Sequence, residues 1–569
     1  MLWSYYWQSA VELNKRNYLM TACIYYHPEG YTTSGPKLMG RNAAGESFLR
    51  GFLSYGKASE FWVQVQQREH GEHFLSQVRD NGRSEPVKMV DGNTLGALSE
   101  AGVLYYPGPG IGEFAFQRSA FGHGAWSLCG ITHTTSSASS MDALADLIAS
   151  PVQPWDAAIC TSIAVKDNVS KILQAQADYL EERLGVTKLV LPQLPVIPLG
   201  IHCDDFVFTD AQRTEARQAV AADDNTLVVV YMGRLSFHAK AHPLAMYLAL
   251  EQAAQATGKS VVLIECGWHA NDFIENAFAE AAALACPNVR VVTLDGRLAE
   301  SRQTTWASAD VFCSLADNIQ ETFGIVPIEA MAAGVPVVVA DWDGYKDTVR
   351  DGVDGFRIPT LMPQAGLGHD LAFRHAMTTD NYDMYCGHTC SLIAVDIEAA
   401  TDAFEKLFDS HELREQMGEA GRQRATEVYD WRHIIARYET LWAQLDQSRL
   451  AQASDVKSLA HPWPARMDPF YGFSAYPTHS LNQETRLTLA IAGKDEAIER
   501  VNAYNELAMV NFAKFVLPTE EEIVTVIEAA EADGASAIEL VATIPEERQA
   551  VVMRSLSWLV KLGVFKLVK

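Results

Sequence analysis

The sequence predicts an α/β protein of two doubly wound, Rossmann-like domains, followed by a small, mainly helical module. Three observations carry that expectation. Short apolar runs recur, each followed by a glycine or polar turn and then a helix-like segment. The runs are apolar at successive positions rather than alternating, which suits parallel strands covered on both faces. Near Ser454 this rhythm stops, and a proline- and aromatic-rich stretch leads into a different, helical pattern. Strands alternating with helices build doubly wound sheets, so the first two observations place two such domains in the chain.

In the first domain, residues 1–200, the runs are "YLMTACIYYH", "SEFWVQVQQ", "GVLYYPG", "AWSLCGITH", "AAICTS" and "LPVIPLG". In the second, residues 201–450, they are "TLVVVYMG", "SVVLIECG", "VRVVTLDG", "DVFCSLA" and "VPVVVAD". Residues 451–481 contain "HPWPARMDPFYGFSAYPTHSL", which has no clear periodicity and is expected to be a tether packed over another surface. From 482 to 569 helical patterns return. Thr519 followed by Glu522 is a capping-box signal, Gly534 is the stop, and a strand-like "VFKLVK" closes a winged-helix-like pattern.

The bulk numbers narrow the function classes. A chain of 569 residues suggests about three or four domains. Hydrophobic residues make up 48% and charged residues 20%, enough for full cores. A net charge of −26 repels phosphate backbones and anionic bilayers, so nucleic acid is not an expected partner. The closing module has nine acidic and five basic residues from Thr519 onward, which argues against DNA binding there too. The first residues lack a basic segment followed by a long apolar core, and no run approaches the roughly 20 residues that span a bilayer. Nine scattered cysteines, several in core-like strands, fit reduced thiols in a cytoplasmic protein.

Two segments carry chemistry. In "NIQETFGIVPIEAMAAGVPVVVADWDGYKDTVRDGVDGF", Glu329 is the one ionisable side chain between Phe323 and Ala340. A helix beginning near Gly324, with Pro327 in its first turn and Gly334 as its stop, would put Glu329 on an otherwise apolar helix. A carboxylate there needs a partner: hydroxyls, a cation such as a core arginine, or a ligand. Glu321 precedes the helix, where free N–H groups favour anions. In "VVVYMGRLSFHAKAHP" a buried strand ends at Gly233, and Arg234 and Lys240 follow in the turn. Ligands of open α/β sheets bind beyond the carboxyl ends of strands, so two cations there suit a diphosphate.

These motifs resemble the retaining GT-B glycosyltransferases of the E-x7-E type, the glycosyl transferases group 1 family. Glu321 to Glu329 is similar to its E-x7-E motif and "MGRLSFHAK" to its phosphate clamp. "VIPLGIHCDDF" resembles its interdomain hinge, and "DWDGYKDTVRDGVDGF" and "YDWRHIIARYETLW" its closing segments. The resemblance covers roughly residues 18 to 446 and implies a GT-B fold with a nucleotide-diphosphate sugar as donor. It assigns Glu329 to the nucleotide ribose and Glu321 to donor-sugar hydroxyls. Thr322 and the backbone of Phe323, Gly324 and Ile325 join the donor site, with Gly233 at the strand end. Arg234 and Lys240 would hold the diphosphate, and His133 would line the reaction centre from the first domain. Base contacts would come largely from backbone around Thr293 to Arg297.

The segment "MGRNAAGESFLRGF" nearly spells a P-loop, but Glu46 stands where the phosphate-binding lysine should be and would repel phosphates. The resemblance makes it a glycine-rich loop facing the cleft, with Gly35, Gly40 or Gly45 approaching the ligand through backbone. No cofactor and no metal are implied, and the leaving phosphate would serve as base. Cys386, His388 and Cys390 in "YCGHTC" lack the second pair that a structural zinc site wants. Alternatives are a sugar-nucleotide epimerase, a pyridoxal-dependent phosphorylase and a non-catalytic sugar-nucleotide sensor. The expected partners are a UDP-, GDP- or ADP-linked sugar and a glycan, protein or carrier acceptor. A protein partner or second subunit could bind through residues 482–569.

Overall fold

The computed structural model describes residues 21–32 and 40–568. One compact unit runs to Trp463 and holds two parallel sheets; a second begins at Pro464. The first sheet comprises β1 (Cys23–Tyr25), β2 (Phe61–Gln64), β3 (Val87–Val90), β4 (Val103–Tyr105), β5 (Ser127–Thr132) and β6 (Ala157–Cys160). Its order is β3-β2-β1-β4-β5-β6. The second sheet comprises β7 (Thr226–Met232), β8 (Ser260–Gly267), β9 (Arg290–Asp295), β10 (Val311–Ser314), β11 (Val337–Ala340) and β12 (Gly355–Ile358). Its order is β12-β11-β10-β7-β8-β9. Every neighbouring pair in both sheets is parallel. In each sheet the first strand lies beside the fourth, so the direction of winding reverses between them. These two switch points, β1/β4 and β7/β10, are where such sheets open a crevice. Two Rossmann-like domains of this kind make the GT-B fold.

The continuous apolar runs explain the central strands: β7, β10 and β11 are buried at every position. The sequence reading missed β3 and β12, which lie at sheet edges and keep Lys88, Met89, Phe356 and Arg357 partly or wholly in solvent. It also expected a strand in "LPVIPLG". That segment instead runs beside β6 through isolated bridges at Gln193 and Val196, because Pro192, Pro195 and Pro198 have no N–H to give a ladder.

The chain crosses between the domains twice, at one place. Ile201 N donates to Tyr429 O at 2.9 Å, and Trp431 N donates to Ile201 O at 3.0 Å. The Trp431 indole fills the gap between Gly51 and Gly200, where a Cβ on either glycine would lie 2.6 Å from the ring. The helix Trp431–Gln452, placed with the second domain on sequence, packs against the first. Its apolar stripe (Ile434, Tyr438, Leu441, Trp442, Leu445) recurs every three or four residues and is buried against Phe48, Phe52 and Tyr105. Glu439 accepts from Lys57 N at 2.7 Å, and Leu445 O accepts from the Ser127 hydroxyl at 3.3 Å. An insertion in the second domain is closed by the antiparallel pair β13 (Thr360–Leu361) and β14 (Ala394–Val395), which encloses the helices His369–Ala376 and Tyr382–Cys390.

The second unit has its own core, around Leu487, Val501, Ile527, Leu556 and Phe565. Thr519 and Glu522 form the capping box on Glu520–Glu528 that the sequence predicts. The sequence reading had only helices between 482 and the closing strand. The structure instead has a three-stranded antiparallel sheet, β16-β15-β17, with β15 (Arg486–Leu489) central between β16 (Ala535–Ser536) and β17 (Phe565–Leu567). In the stretch expected to be a tether, Trp463 stacks on Phe116 with ring centroids 5.5 Å apart, while Phe470, Tyr471 and Tyr476 are exposed. Among the described residues, no helix is long and apolar enough to cross a membrane.

Gly200→Ala puts a methyl group into the Trp431 ring at the domain crossing. A loss of about 1–3 kcal/mol is expected, as for overpacked cores, and a denaturant melt of the variant against the wild type measures it.

Candidate active site

The loop after β7 carries Arg234 and Lys240, and the loop after β10 carries Glu321, Thr322 and Phe323. Because β7 and β10 are neighbours at the switch point, the two loops emerge side by side. Lys240 Nζ lies 2.5 Å from Glu321 Oε2, with both side chains largely withdrawn from solvent. Arg234 does not reach Glu321. Its guanidinium donates to Ala239 O at 2.6 Å and to Gln320 Oε1 at 3.0 Å, tying the clamp loop to the residue before Glu321. Burial alone would raise the Glu321 carboxyl. The charge and hydrogen bond of Lys240, with the backbone amides of Thr322 and Phe323, outweigh it and hold Glu321 below the usual carboxylate range.

Gly324 makes the turn into the helix Ile325–Ala332. Its φ of 79° is left-handed, and a Cβ there would lie 1.8 Å from the Tyr345 ring, which a bond between the Tyr345 and Ser314 hydroxyls (2.9 Å) holds in place. Glu329 projects from this helix, half-buried. Its carboxyl has no hydrogen bond from the described residues, and burial pushes it up to about 7 against the charge of Arg302. The sequence left an arginine open as a partner for Glu329, and half-buried Arg302 is the one whose charge reaches it. Its Nη1 is instead committed to the carbonyls of Gly296 and Arg297, at 2.8 and 3.0 Å.

The first domain closes onto the same loop. The Thr322 hydroxyl donates to His133 O at 3.0 Å, and Thr322 O accepts from the Ser162 hydroxyl at 2.8 Å. His133, expected to line the reaction centre, meets the Glu321 loop through its backbone carbonyl. The glycine-rich segment differs from expectation. Gly35 lies outside the described residues, Gly40 opens the helix Gly40–Tyr55, and Gly45 lies inside it. A Cβ on Gly45 would sit 2.1 Å from Gly30 O, so this glycine lets the helix pack against the turn Pro28–Gly30. The segment from Gly40 onward is helix rather than loop, because Ala43, Ala44, Phe48 and Leu49 continue a helical pattern that Gly45 does not break. Gly45 and His133 share the lining of a recess with Tyr31, Phe48 and Tyr105.

Sequence reasoning missed two buried carboxyls behind the clamp. Asp317 accepts from His242 N at 3.2 Å, and Glu265 accepts from the Tyr247 hydroxyl at 2.5 Å; burial pushes each up to about 7. Glu265 was detectable as the one charged residue of a buried strand, "SVVLIECG". Ser162 and Asp343 carried no such signal, since their meeting depends on how the domains close. Among the described residues no three His, Cys, Asp or Glu side chains converge as a metal site. Cys386 and Cys390 are buried, while His388 Nδ1 meets Asp380 at 2.9 Å.

This arrangement is built for an anion flanked by hydroxyls. The Lys240 ammonium has three donors and spends one on Glu321. The helix N-terminus at Gly324 adds backbone N–H groups, and Glu329 offers a carboxyl with no hydrogen-bond partner among the described residues.

Residues 212–365 match the family model described as "Glycosyl transferases group 1". A phosphatidyl-myo-inositol mannosyltransferase of Mycobacterium leprae is 34% identical over 139 residues, which is 24% of this chain and 27% of that protein. A D-inositol 3-phosphate glycosyltransferase of Mycolicibacterium vanbaalenii is 32% identical over 220 residues, 33% of this chain and 46% of that one. The chain thus spans less than half the length of either relative. The solved structure of Anabaena Alr3699/HepE in complex with UDP is 14% identical, with a TM-score of 0.46 over 77% of this chain and 100% of that one.

Glu265, Asp317 and Glu329, each near 7 when folded, lie near 4 in an unfolded chain. The folded state keeps protons that the unfolded state has lost, so their contribution is full below about pH 4 and is lost as pH rises through about 7. Glu321 has the opposite sign and loses its contribution only in acid. The melting temperature is therefore expected to fall between about pH 4 and about pH 7, and Glu265→Gln with Asp317→Asn to flatten that slope.

Proposed function

We propose that this chain, whose residues 212–365 form a glycosyl transferases group 1 domain on a GT-B fold, is a retaining glycosyltransferase. It moves a sugar from a nucleoside diphosphate sugar to an acceptor hydroxyl. The observation that carries this reading is the Lys240–Glu321 pair at the β7/β10 switch point, with the Glu329 carboxyl, which has no hydrogen-bond partner among the described residues, on the helix that follows. A cation beside a carboxylate matches a donor whose diphosphate adjoins a ring of hydroxyls.

In this reading the diphosphate lies against Lys240, Arg234 and the amides of Phe323, Gly324 and Ile325. Glu321 holds donor-sugar hydroxyls and Glu329 the ribose, with Thr322 fixing the loop between them. The acceptor hydroxyl, presented from the His133 side, attacks the anomeric carbon from the face that the diphosphate leaves. The bond from that carbon to the phosphate oxygen breaks as the new glycosidic bond forms, and the departing oxygen takes the acceptor's proton. The fixed cations and the helix N-terminus neutralise the leaving group, a role for which no divalent ion is required. Residues 482–569 are the proposed contact for a protein or carrier acceptor, or for a second subunit. All nine cysteines are unpaired and buried, which supports work in the cytoplasm.

A thermal-shift screen with UDP, GDP and ADP in excess EDTA tests this. One diphosphate at about 100 times its Kd is expected to add roughly 2.7 kcal/mol of stability. No shift with any of the three, or a shift only on adding magnesium, contradicts the clamp. Lys240→Ala is expected to lower kcat by about 10² to 10³, as for loss of one preorganised donor to a developing charge. Near-normal turnover removes Lys240 from that role.

A further inference from the structure

The turn after β11 carries an aspartate in an unusual position. Asp343 has a φ of 42°, a left-handed conformation that Asp tolerates better than most side chains. The turn presses on the site loop: a Cβ on the next residue, Gly344, would lie 2.5 Å from Phe323 Cα and O. Asp343 Oδ1 lies 3.3 Å from the Ser162 hydroxyl of the first domain, while its Oδ2 is buried with no hydrogen-bond partner among the described residues.

The hydrogen count at Ser162 decides the protonation state. As the N-cap of the helix Ile163–Leu184, the Ser162 hydroxyl accepts from Val165 N at 3.1 Å. It has one hydrogen, and the shorter of its two outgoing contacts is to Thr322 O at 2.8 Å. With that hydrogen committed, the contact to Asp343 needs a hydrogen from the carboxyl. The surroundings favour the neutral acid. Glu321 faces it from the site loop, with Lys240 paired behind, and Asp347 and Tyr345 face it from its own turn. From the first domain come the Ser162 hydroxyl and the Ile163 amide, and the amide is already bonded to Asp347 at 2.7 Å. Burial first, and then the charge of Glu321, push the Asp343 carboxyl up to about 8, against hydrogen bonding from the Gly344 amide that favours the ionised form. A neutral carboxyl also leaves its buried Oδ2 as an unpaired carbonyl-type oxygen rather than as a charge.

We propose that Asp343 is a positioning residue: its protonated carboxyl latches Ser162 of the first domain over the loop that carries Glu321, so that closing the two domains takes up a proton from solvent. Closing brings together Ser162, Thr322 and Asp343; opening exposes Asp343 to water, where it ionises. The latch rests on the glycosyltransferase reading only for its effect on turnover, not for the closure itself.

The test uses the full chain without nucleotide, with donor and acceptor dyes at Tyr179→Cys and Phe273→Cys, exposed positions on the first and second domains. Energy transfer between them reports the closed fraction. In the wild-type background the closed-to-open ratio is expected to fall by up to about tenfold per pH unit between about pH 5 and about pH 8, then to level off. Asp343→Asn, whose amide donates to Ser162 at every pH and tolerates the left-handed turn, should hold the ratio flat. Ser162→Ala should lower it throughout. A wild-type ratio independent of pH, or the same pH dependence in Asp343→Asn, overturns the latch. A protein that closes with pH as described but transfers no sugar keeps the latch and sinks the proposed function; active enzyme with pH-independent closure does the reverse.

Discussion

The site depends on one ion pair, Lys240 with Glu321, placed where the second sheet reverses its winding. Neither partner would be stable alone in that half-buried position. An unpaired carboxylate there would rise in pKa, so Lys240 holds Glu321 in the charged state that the proposed chemistry uses. The pair also sets the spacing of the two loops. Arg234, locked to Ala239 and Gln320, braces the cation loop, and Tyr345 under Gly324 fixes the start of the following helix. The helix then aims Glu329 from the same side.

The second domain alone does not complete the site. Thr322 is held from above by His133 and Ser162, so the loop bearing Glu321 is shaped by both sheets. What brings the first sheet into place is the Trp431 crossing. The chain returns from the second domain and lays Trp431–Gln452 along the first, so the two domains share one continuous core. A substitution at Gly51 or Gly200 thus acts on the geometry of the cleft as well as on stability.

The central strands were legible in sequence because parallel strands covered on both faces carry unbroken apolar runs. The edge strands β3 and β12 were not, because Lys88 and Arg357 interrupt them. The proline-rich hinge looked like a strand because its composition is apolar, while its missing N–H groups decide otherwise. Among the candidate site residues, Glu329 stands out as the lone charge in an apolar run and Arg234 and Lys240 as cations after a buried strand, whereas His133 is singled out by the family resemblance alone. Ser162 and Asp343 could not be found in either way. Neither interrupts an apolar run, and their meaning lies in a distance across the cleft. Gly45 misled for a related reason: a glycine that permits close packing and one that approaches a ligand look the same in one dimension.

The most direct test of the central claim follows the donor itself. With nucleotide sugar, water as the acceptor and excess EDTA, the first anomer released can be identified by proton NMR before it mutarotates. If fixed cations at the switch point neutralise the leaving group and the nucleophile enters on the departing face, the released sugar keeps the donor's anomeric configuration, and EDTA does not slow its release. Inverted sugar, or release that stops until magnesium is restored, would contradict the account.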